Sequence, residues 1–167
     1  FIHELGHGLG FLSNDAYDPY YGLGSLDQPT PFDAYLQTAD GRRLADLPTP
    51  SKELGSALTS SLVWNGALGI KANGGIKPKM YTPSRYESGS STSHLDENTF
   101  SKSGLDSVMT PNLDPGEVFR QPGPLLLAMM EDMRNKPPAG VATELPLSPR
   151  NVQAFTGDSS ALISFDP

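Results

Sequence analysis

The chain contains no cysteine, so neither a disulfide framework nor a cysteine-ligated metal site is available to it. No run of residues approaches the roughly eighteen apolar residues that a membrane-spanning helix needs. Acidic residues outnumber basic ones: the sequence has 19 Asp and Glu and 12 Lys and Arg, which gives a formal net charge of -7. An acidic chain is poorly suited to nucleic acid or to an anionic membrane surface. These absences argue against a disulfide-rich scaffold, a membrane span in this sequence and a nucleic-acid-binding protein.

The 167 residues are enough for one domain with a hydrophobic core and part of a second domain. The sequence starts on Phe1, inside a helix-like pattern and without an initiator Met, so we expect a fragment in which a signal peptide would not be visible. With 17 glycines and 16 prolines, we expect long ordered loops around few regular elements.

The first ten residues, FIHELGHGLG, contain the pattern His-Glu-x-x-His. His3 and His7 are one helical turn apart, so their rings project from the same face and can reach one metal ion at about 2.0–2.1 Å each. Glu4 lies about 100° further round the helix, where its carboxylate can reach a water on the metal without binding the metal. The pattern predicts a zinc site with Glu4 as general base. The alternative is an amphipathic helix with two surface histidines.

A catalytic zinc ion needs a third protein ligand and an open position. The chain has three histidines in all, and the third is His94, in the small-residue loop ESGSSTSHLDE at 87–97. Placing every histidine on one metal is economical, so His94 is the predicted third ligand, with Asp15 as the alternative. Asp15 and Asp18 also allow a calcium site, although turn formation explains both residues more simply.

The local patterns predict short elements separated by loops. In chain order these are a helix ending at Gly10, a loop at 14–24, a strand at 31–36, a turn at 39–41, a helix at 51–62 capped by Ser51, a strand at 62–66, a strand and turn at 69–75, a third short strand at 79–82, and a helix at 122–133 with Pro124 in its first position. A buried stripe of this last helix is predicted to comprise Leu126, Met129, Met130 and Met133.

The C-terminal part divides into two segments. Residues 136–146 are rich in Pro and Ala and predict a linker. Residues 147–167 alternate apolar and polar side chains and predict two strands joined by a turn at 156–159. This segment resembles the opening strands of a fibronectin type III module, and so predicts the start of a β-sandwich.

The motifs HELGHGLGF, SHLDE, VMTP and LLLAMMEDM occur in that order, and together they resemble the leishmanolysin-like metzincins, a family of zinc metallopeptidases. In that family an insertion separates the second and third zinc-binding histidines. The resemblance covers 1–135 and implies that His3, His7 and His94 bind zinc and that Glu4 is the general base. It also implies that Met109 lies in the tight Met-turn beneath the metal.

The resemblance further implies an α+β metallopeptidase domain at 1–135. It would contain an active-site helix, a loop-rich insertion with short strands, the Met-turn and a C-terminal helix, and would lack the N-terminal sheet that precedes this helix in metzincins. Many metzincins have their third histidine in HExxHxxGxxH. Here Gly10 occupies the glycine position of that pattern, but Ser13 occupies the position of its third histidine.

We therefore expect a zinc-dependent endopeptidase that acts on protein or peptide substrates, is extracellular or displayed on a bacterial cell surface, and is inactive as this fragment alone. Two alternatives stay open. One is a gluzincin, in which a downstream glutamate such as Glu53 or Glu131 is the third ligand. The other is a non-catalytic surface binding protein with a degenerate peptidase domain.

Overall fold

The computed structural model describes residues 1–102, 104–113, 115–135, 150–157 and 160–166. The protein is mixed α and β, with small two-stranded sheets and several short helices, in agreement with the predicted α+β class at that level. The elements are α1 (Ile2–Gly8), β1 (Ala16–Asp18), β2 (Leu23–Ser25), β3 (Leu36–Thr38), α2 (Lys52–Leu58), β4 (Leu62–Trp64), α3 (Ala67–Ala72), α4 (Glu97–Phe100), α5 (Pro124–Arg134), β5 (Arg150–Gly157) and β6 (Ser160–Asp166), with 3-10 helices at Asp33–Tyr35, Leu44–Asp46 and Gly104–Met109.

A row of four buried aromatic rings in successive contact forms the centre of the core. The rings of Phe11 and Phe32 lie 4.8 Å apart, and Phe32 lies 5.2 Å from Trp64. Trp64 in turn stacks on Tyr35 with a centroid distance of 4.8 Å. Burying each such side chain contributes about 1.5–3 kcal/mol relative to leaving it exposed. Because Phe11 lies three residues after the end of α1, this packing fixes where the chain enters the core after that helix.

Two antiparallel pairs organise the first half of the chain. Strands β1 and β2 pair from Ala16↔Ser25 to Asp18↔Leu23, so the segment predicted as a loop at 14–24 is a hairpin. The loop prediction was wrong because only the residues around Pro19 and Gly22 form the turn, whereas Asp18 and Gly24 belong to the paired strands. Strands β3 and β4 pair across a long connection.

Helix α2 begins where the sequence predicted. The Ser51 hydroxyl accepts a hydrogen bond from the Leu54 amide at 3.0 Å, which satisfies one of the free amides at the helix start. The helix ends at Leu58, earlier than predicted, and Leu62 already belongs to β4.

Two predicted strands are helical instead. At 31–36 the chain forms the 3-10 helix Asp33–Tyr35, because the Asp33 carboxylate accepts the Thr30 amide at 2.7 Å and the Thr30 hydroxyl accepts the Asp33 amide at 3.2 Å. This reciprocal capping starts a helical turn. At 69–75 the chain forms most of α3 and the turn that follows it.

Helix α3 is capped by a side chain from a distant part of the sequence. The buried Asp132 carboxylate on α5 accepts the amides of Leu68 at 2.9 Å and Gly69 at 2.8 Å. The same carboxylate accepts the Trp64 indole N–H at 3.0 Å. Asp132 therefore joins α3, β4 and α5, a role that local sequence cannot show.

The segment predicted as a third strand at 79–82 forms isolated bridges rather than a regular strand. Val63 bridges Lys79 on one side, and Met80 bridges Leu95 on the other. The Tyr81 amide also donates to the His94 carbonyl at 2.8 Å. These bonds attach the backbone around His94 to the core.

The predicted C-terminal helix and the two predicted C-terminal strands are present. Helix α5 has Pro124 at its start, as predicted, and buries Leu126, Met129 and Met133, whereas Met130 of the predicted stripe is only partly buried. Strands β5 and β6 pair antiparallel, from Gly157↔Ser160 to Arg150↔Asp166. The two predicted strands are thus found, while their assignment to a fibronectin type III-like module stays a prediction. The predicted linker at 136–146 lies outside the described residues.

Candidate metal centre

Helix α1 brings His3 and His7 to one surface and then ends in a glycine turn. The Gly10 amide donates to the His7 carbonyl and the Phe11 amide to the Gly6 carbonyl, each at 3.0 Å. Gly10 has φ +107°, a conformation that L side chains rarely adopt. These bonds form a Schellman-type helix end, which turns the chain sharply and sends Phe11 into the core.

The structure brings His94 to the two histidines of α1. The Nε2 atom of His7 lies 3.1 Å from Nε2 of His3 and 3.1 Å from Nε2 of His94. The Nε2 atoms of His94 and His3 are 3.2 Å apart. The three imidazoles therefore point their Nε2 atoms at one common position, although His94 is distant in sequence.

Each imidazole is oriented by a backbone carbonyl at its other nitrogen. Nδ1 of His3 donates to the Val108 carbonyl at 2.7 Å, and Nδ1 of His7 donates to the Phe11 carbonyl at 2.8 Å. Nδ1 of His94 donates to the Ser90 carbonyl at 2.8 Å. Because a carbonyl only accepts, each Nδ1 carries a proton, so Nε2 is the nitrogen that offers a lone pair in the neutral form of each ring. Three acceptors thus converge with no donor between them.

The donor set fits a metal ion. Tetrahedral coordination with bonds of about 2.0–2.1 Å separates ligand nitrogens by about 3.3–3.4 Å. The observed separations of 3.1, 3.1 and 3.2 Å are close to that spacing. A cation also removes the repulsion among converging lone pairs. His3, His7 and His94 therefore form a group that could hold a metal ion.

Burial keeps the third histidine in its metal-binding form. Desolvation lowers the pKa of His94 to about 4 from the ordinary value of 6.5, and the neighbouring His7 and His3 add to this effect. The imidazole is therefore neutral at physiological pH. Neutral imidazole is the form that binds a metal.

Glu4 is exposed at the edge of the histidine group. Its charge acts on His94 in the direction that raises the pKa of His94, so its carboxylate lies within electrostatic range of the site. Within the part of the chain that the structure describes, no hydrogen bond or ion pair holds this carboxylate. It is thus available to a ligand at the site.

Met109 packs directly beneath α1. A Cβ added to Gly6 would lie 2.8 Å from Sδ of Met109, which shows how closely the sulfur approaches the helix backbone. Met109 is fully buried, and its carbonyl accepts the Leu95 amide at 2.8 Å. The preceding residue, Val108, holds His3. This segment therefore contacts α1 and the residue that follows His94. The sequence predicted the role of its methionine but gave no signal for its two carbonyls.

The aspartates considered as ligands bind protein groups instead. Asp15 accepts hydrogen bonds from three hydroxyl groups, including Ser13 at 2.6 Å and Tyr86 at 2.6 Å. Asp18 accepts the amides of Tyr20 at 2.8 Å and Tyr21 at 3.2 Å, which closes the turn between β1 and β2. In the described residues, the only group of three or more His, Cys, Asp or Glu side chains within metal-binding distance of one another is the histidine group.

The two glutamates proposed for a gluzincin site are also engaged elsewhere. Glu53 pairs with Arg42, and Glu131 pairs with Arg134 at 3.3 Å and accepts from Asn135 at 3.2 Å. Neither joins the histidines.

Comparison of the chain with protein-family models, with curated protein sequences and with solved structures found no match. Among the described residues, none of the helices has the length and apolar character needed to cross a membrane. The geometry of the three histidines is therefore the basis for a functional proposal.

Proposed function

We propose that the chain is part of the catalytic domain of a zinc-dependent endopeptidase of the leishmanolysin-like metzincin type. The observation that carries the proposal is the convergence of three Nε2 atoms on one position, two of them from a His-Glu-x-x-His helix. The glycine turn after this helix and the buried Met109 beneath it support the same family. An extracellular or cell-surface location belongs to this proposal through the family resemblance.

Zinc is the metal that best suits this donor set. Three histidine ligands with a fourth position left for water are typical of catalytic zinc. Imidazole also binds copper, iron and nickel, so the geometry alone favours a class of metals. The adjacent free carboxylate of Glu4 favours hydrolytic zinc within that class, since a purely structural site has no need of it.

The residues of the site divide the chemistry between them. A zinc ion held by His3, His7 and His94 would lower the pKa of a bound water towards about 7 and polarise the scissile carbonyl. The exposed Glu4 carboxylate accepts the proton of the attacking water and delivers it to the leaving nitrogen. The three backbone carbonyls keep each imidazole in the tautomer that presents Nε2 to the metal.

Zinc content and hydrolysis test the two parts of this proposal separately. The protein should bind one equivalent of zinc, measured by elemental analysis after dialysis, and His94→Ala should lose most of it. Glu4→Gln is the matched control, because it changes the same site without removing a ligand. It should retain zinc and reduce hydrolysis of a protein substrate by the full-length protein by about 10²–10⁴.

Three outcomes would contradict the proposal. Full zinc content in His94→Ala would remove His94 from the ligand set. Undiminished hydrolysis by Glu4→Gln would remove Glu4 as the base. A full-length protein that binds zinc but shows no hydrolysis that a zinc chelator abolishes would instead be the non-catalytic binding protein.

A further inference from the structure

The carboxylate of Asp15 gathers three hydroxyl groups from separate parts of the chain. Its Oδ2 accepts from Thr92 and lies 2.6 Å from the Ser13 hydroxyl, which is equally close to Oδ1 of Asp33, and its Oδ1 accepts from Tyr86 at 2.6 Å. Burial, together with the hydrogen bond to Asp15, raises the pKa of Tyr86, so this phenol remains a donor at neutral pH. Asp15 therefore acts as a common acceptor between the exit of α1 and the loop that carries His94.

Thr92 is the member of this group with an unfavourable backbone. Its φ of +67° is the one positive φ among the non-glycine residues that the structure describes. A β-branched residue in the left-handed region is strained and persists only where its surroundings hold it. Two groups of Thr92 make hydrogen bonds. Its amide donates to the Tyr81 carbonyl at 2.7 Å, and its hydroxyl lies within donating distance of both the Asp15 carboxylate and the Ser91 carbonyl, the latter at 2.5 Å.

This strained residue lies two positions before His94. The intervening Ser93 accepts the Ser13 amide at 3.1 Å through its hydroxyl, so a second bond ties the exit of α1 to the same loop. The loop also supplies the Ser90 carbonyl that orients the His94 ring. The positions of both the third imidazole and its orienting carbonyl thus depend on how the loop is held.

We propose that Asp15 is a positioning residue of the metal centre: by holding Thr92 in its left-handed conformation, it places His94 beside the histidines of α1. This inference rests on the proposed function, since it presumes that the three histidines bind one metal. Asp15 touches neither the metal nor the substrate in this role. It acts only through Thr92 and the loop.

Asp15→Asn tests the proposal with little change in shape. The amide keeps one acceptor oxygen and turns the other into a donor, so either the Oδ2 bonds to Ser13 and Thr92 or the Oδ1 bond to Tyr86 is lost. Thr92→Val removes the bond to Asp15 from the other side and keeps the β-branched strain. Asp40→Asn is the matched control, because Asp40 also accepts a threonine hydroxyl, that of Thr38, but lies in a separate turn.

Zinc affinity and the visible spectrum of the cobalt-substituted protein are the readouts. Asp15→Asn should weaken zinc binding by about 10–100-fold in competition with a chromophoric chelator, and Thr92→Val should do the same. The double variant should be no weaker than the worse single variant. The cobalt absorption bands should change in both variants, because His94 is displaced, and Asp40→Asn should match the unchanged protein in both measurements.

Each other outcome would overturn the proposal or its basis. Affinity within twofold of the unchanged protein in a folded Thr92→Val rejects the positioning role and leaves the zinc site intact, because that variant loses the bond to Asp15 whichever way the amide of Asp15→Asn is oriented. An equal loss in Asp40→Asn shows general destabilisation and also rejects it. If Asp15→Asn does not fold, Thr92→Val decides by the same criterion. Absence of zinc binding in the unchanged protein overturns the proposed function itself.

Discussion

Replacing Gly6 by alanine tests how closely the buried methionine supports the metal-binding helix. The added Cβ would lie 2.8 Å from Sδ and 3.2 Å from Cε of Met109, closer than ordinary van der Waals contact. Met109 is fully buried, so its side chain has little free space into which it can move. Gly8 offers a matched control on the same helix, because a Cβ there would meet nothing within 4 Å.

The two substitutions share one favourable effect and differ in one unfavourable effect. Alanine in place of glycine stabilises a helix by up to about 1 kcal/mol, less at a helix end. Gly8→Ala should therefore leave the free energy of unfolding unchanged or raise it by up to about 1 kcal/mol. Gly6→Ala adds an overpacking cost of about 1–3 kcal/mol, so it should be less stable than Gly8→Ala by roughly that amount.

Urea unfolding of the zinc-free protein measures this difference. The single tryptophan, Trp64, is fully buried in the core and reports the transition by fluorescence. In a Met109→Ala background the clash is gone, and Gly6→Ala should then stabilise the protein as Gly8→Ala does. Equal stabilities of the two single variants, or a penalty that persists without the methionine side chain, would refute close packing of Met109 against Gly6.

Three further predictions concern charges and metal. Asp132→Asn should lower the free energy of unfolding by about 3 kcal/mol, because the new amide NH₂ must face an N–H donor in a buried site. A loss below about 1 kcal/mol in urea unfolding would contradict this prediction. The zinc-free protein should lose stability as the pH falls from about 6.5 towards about 4, because the unfolded imidazole of His94 takes up a proton that the folded state excludes. His94→Gln should flatten that dependence, and an unchanged slope would contradict it. Zinc at a thousand times its dissociation constant should stabilise the protein by about 4 kcal/mol in thermal unfolding, and His94→Gln should abolish most of this gain.

Local sequence signals predicted the elements whose causes are themselves local. Ser51 caps its helix, and Pro124 starts another, because capping and a fixed proline φ act within one turn. The segment at 69–75 was predicted as a strand and is helical, since its amides are capped by Asp132 from α5. Of the two segments wrongly predicted as strands, only the one at 31–36 carried a sequence signal for a helix. There Thr-x-x-Asp at 30–33 is a capping pattern, and it outweighs the apolar alternation.

The same division applies to the metal centre. The spacing of His3 and His7 is a local property of a helix, so the sequence predicts that they share a face. That His94 joins them followed from counting histidines, and the structure places it there. The role of Asp15 was not predictable, because its partner Thr92 is brought close only by the folded loop.

The supports of the three imidazoles are all backbone carbonyls, those of Phe11, Ser90 and Val108. Side-chain substitution cannot delete a carbonyl, so no single change removes an orienting acceptor directly. The orientation of the rings can therefore be lost only by moving the backbone that presents these carbonyls. Sensitivity should then concentrate where packing or a carboxylate fixes that backbone, at Gly6 and Asp15, even though neither residue contacts the imidazoles through its own side chain.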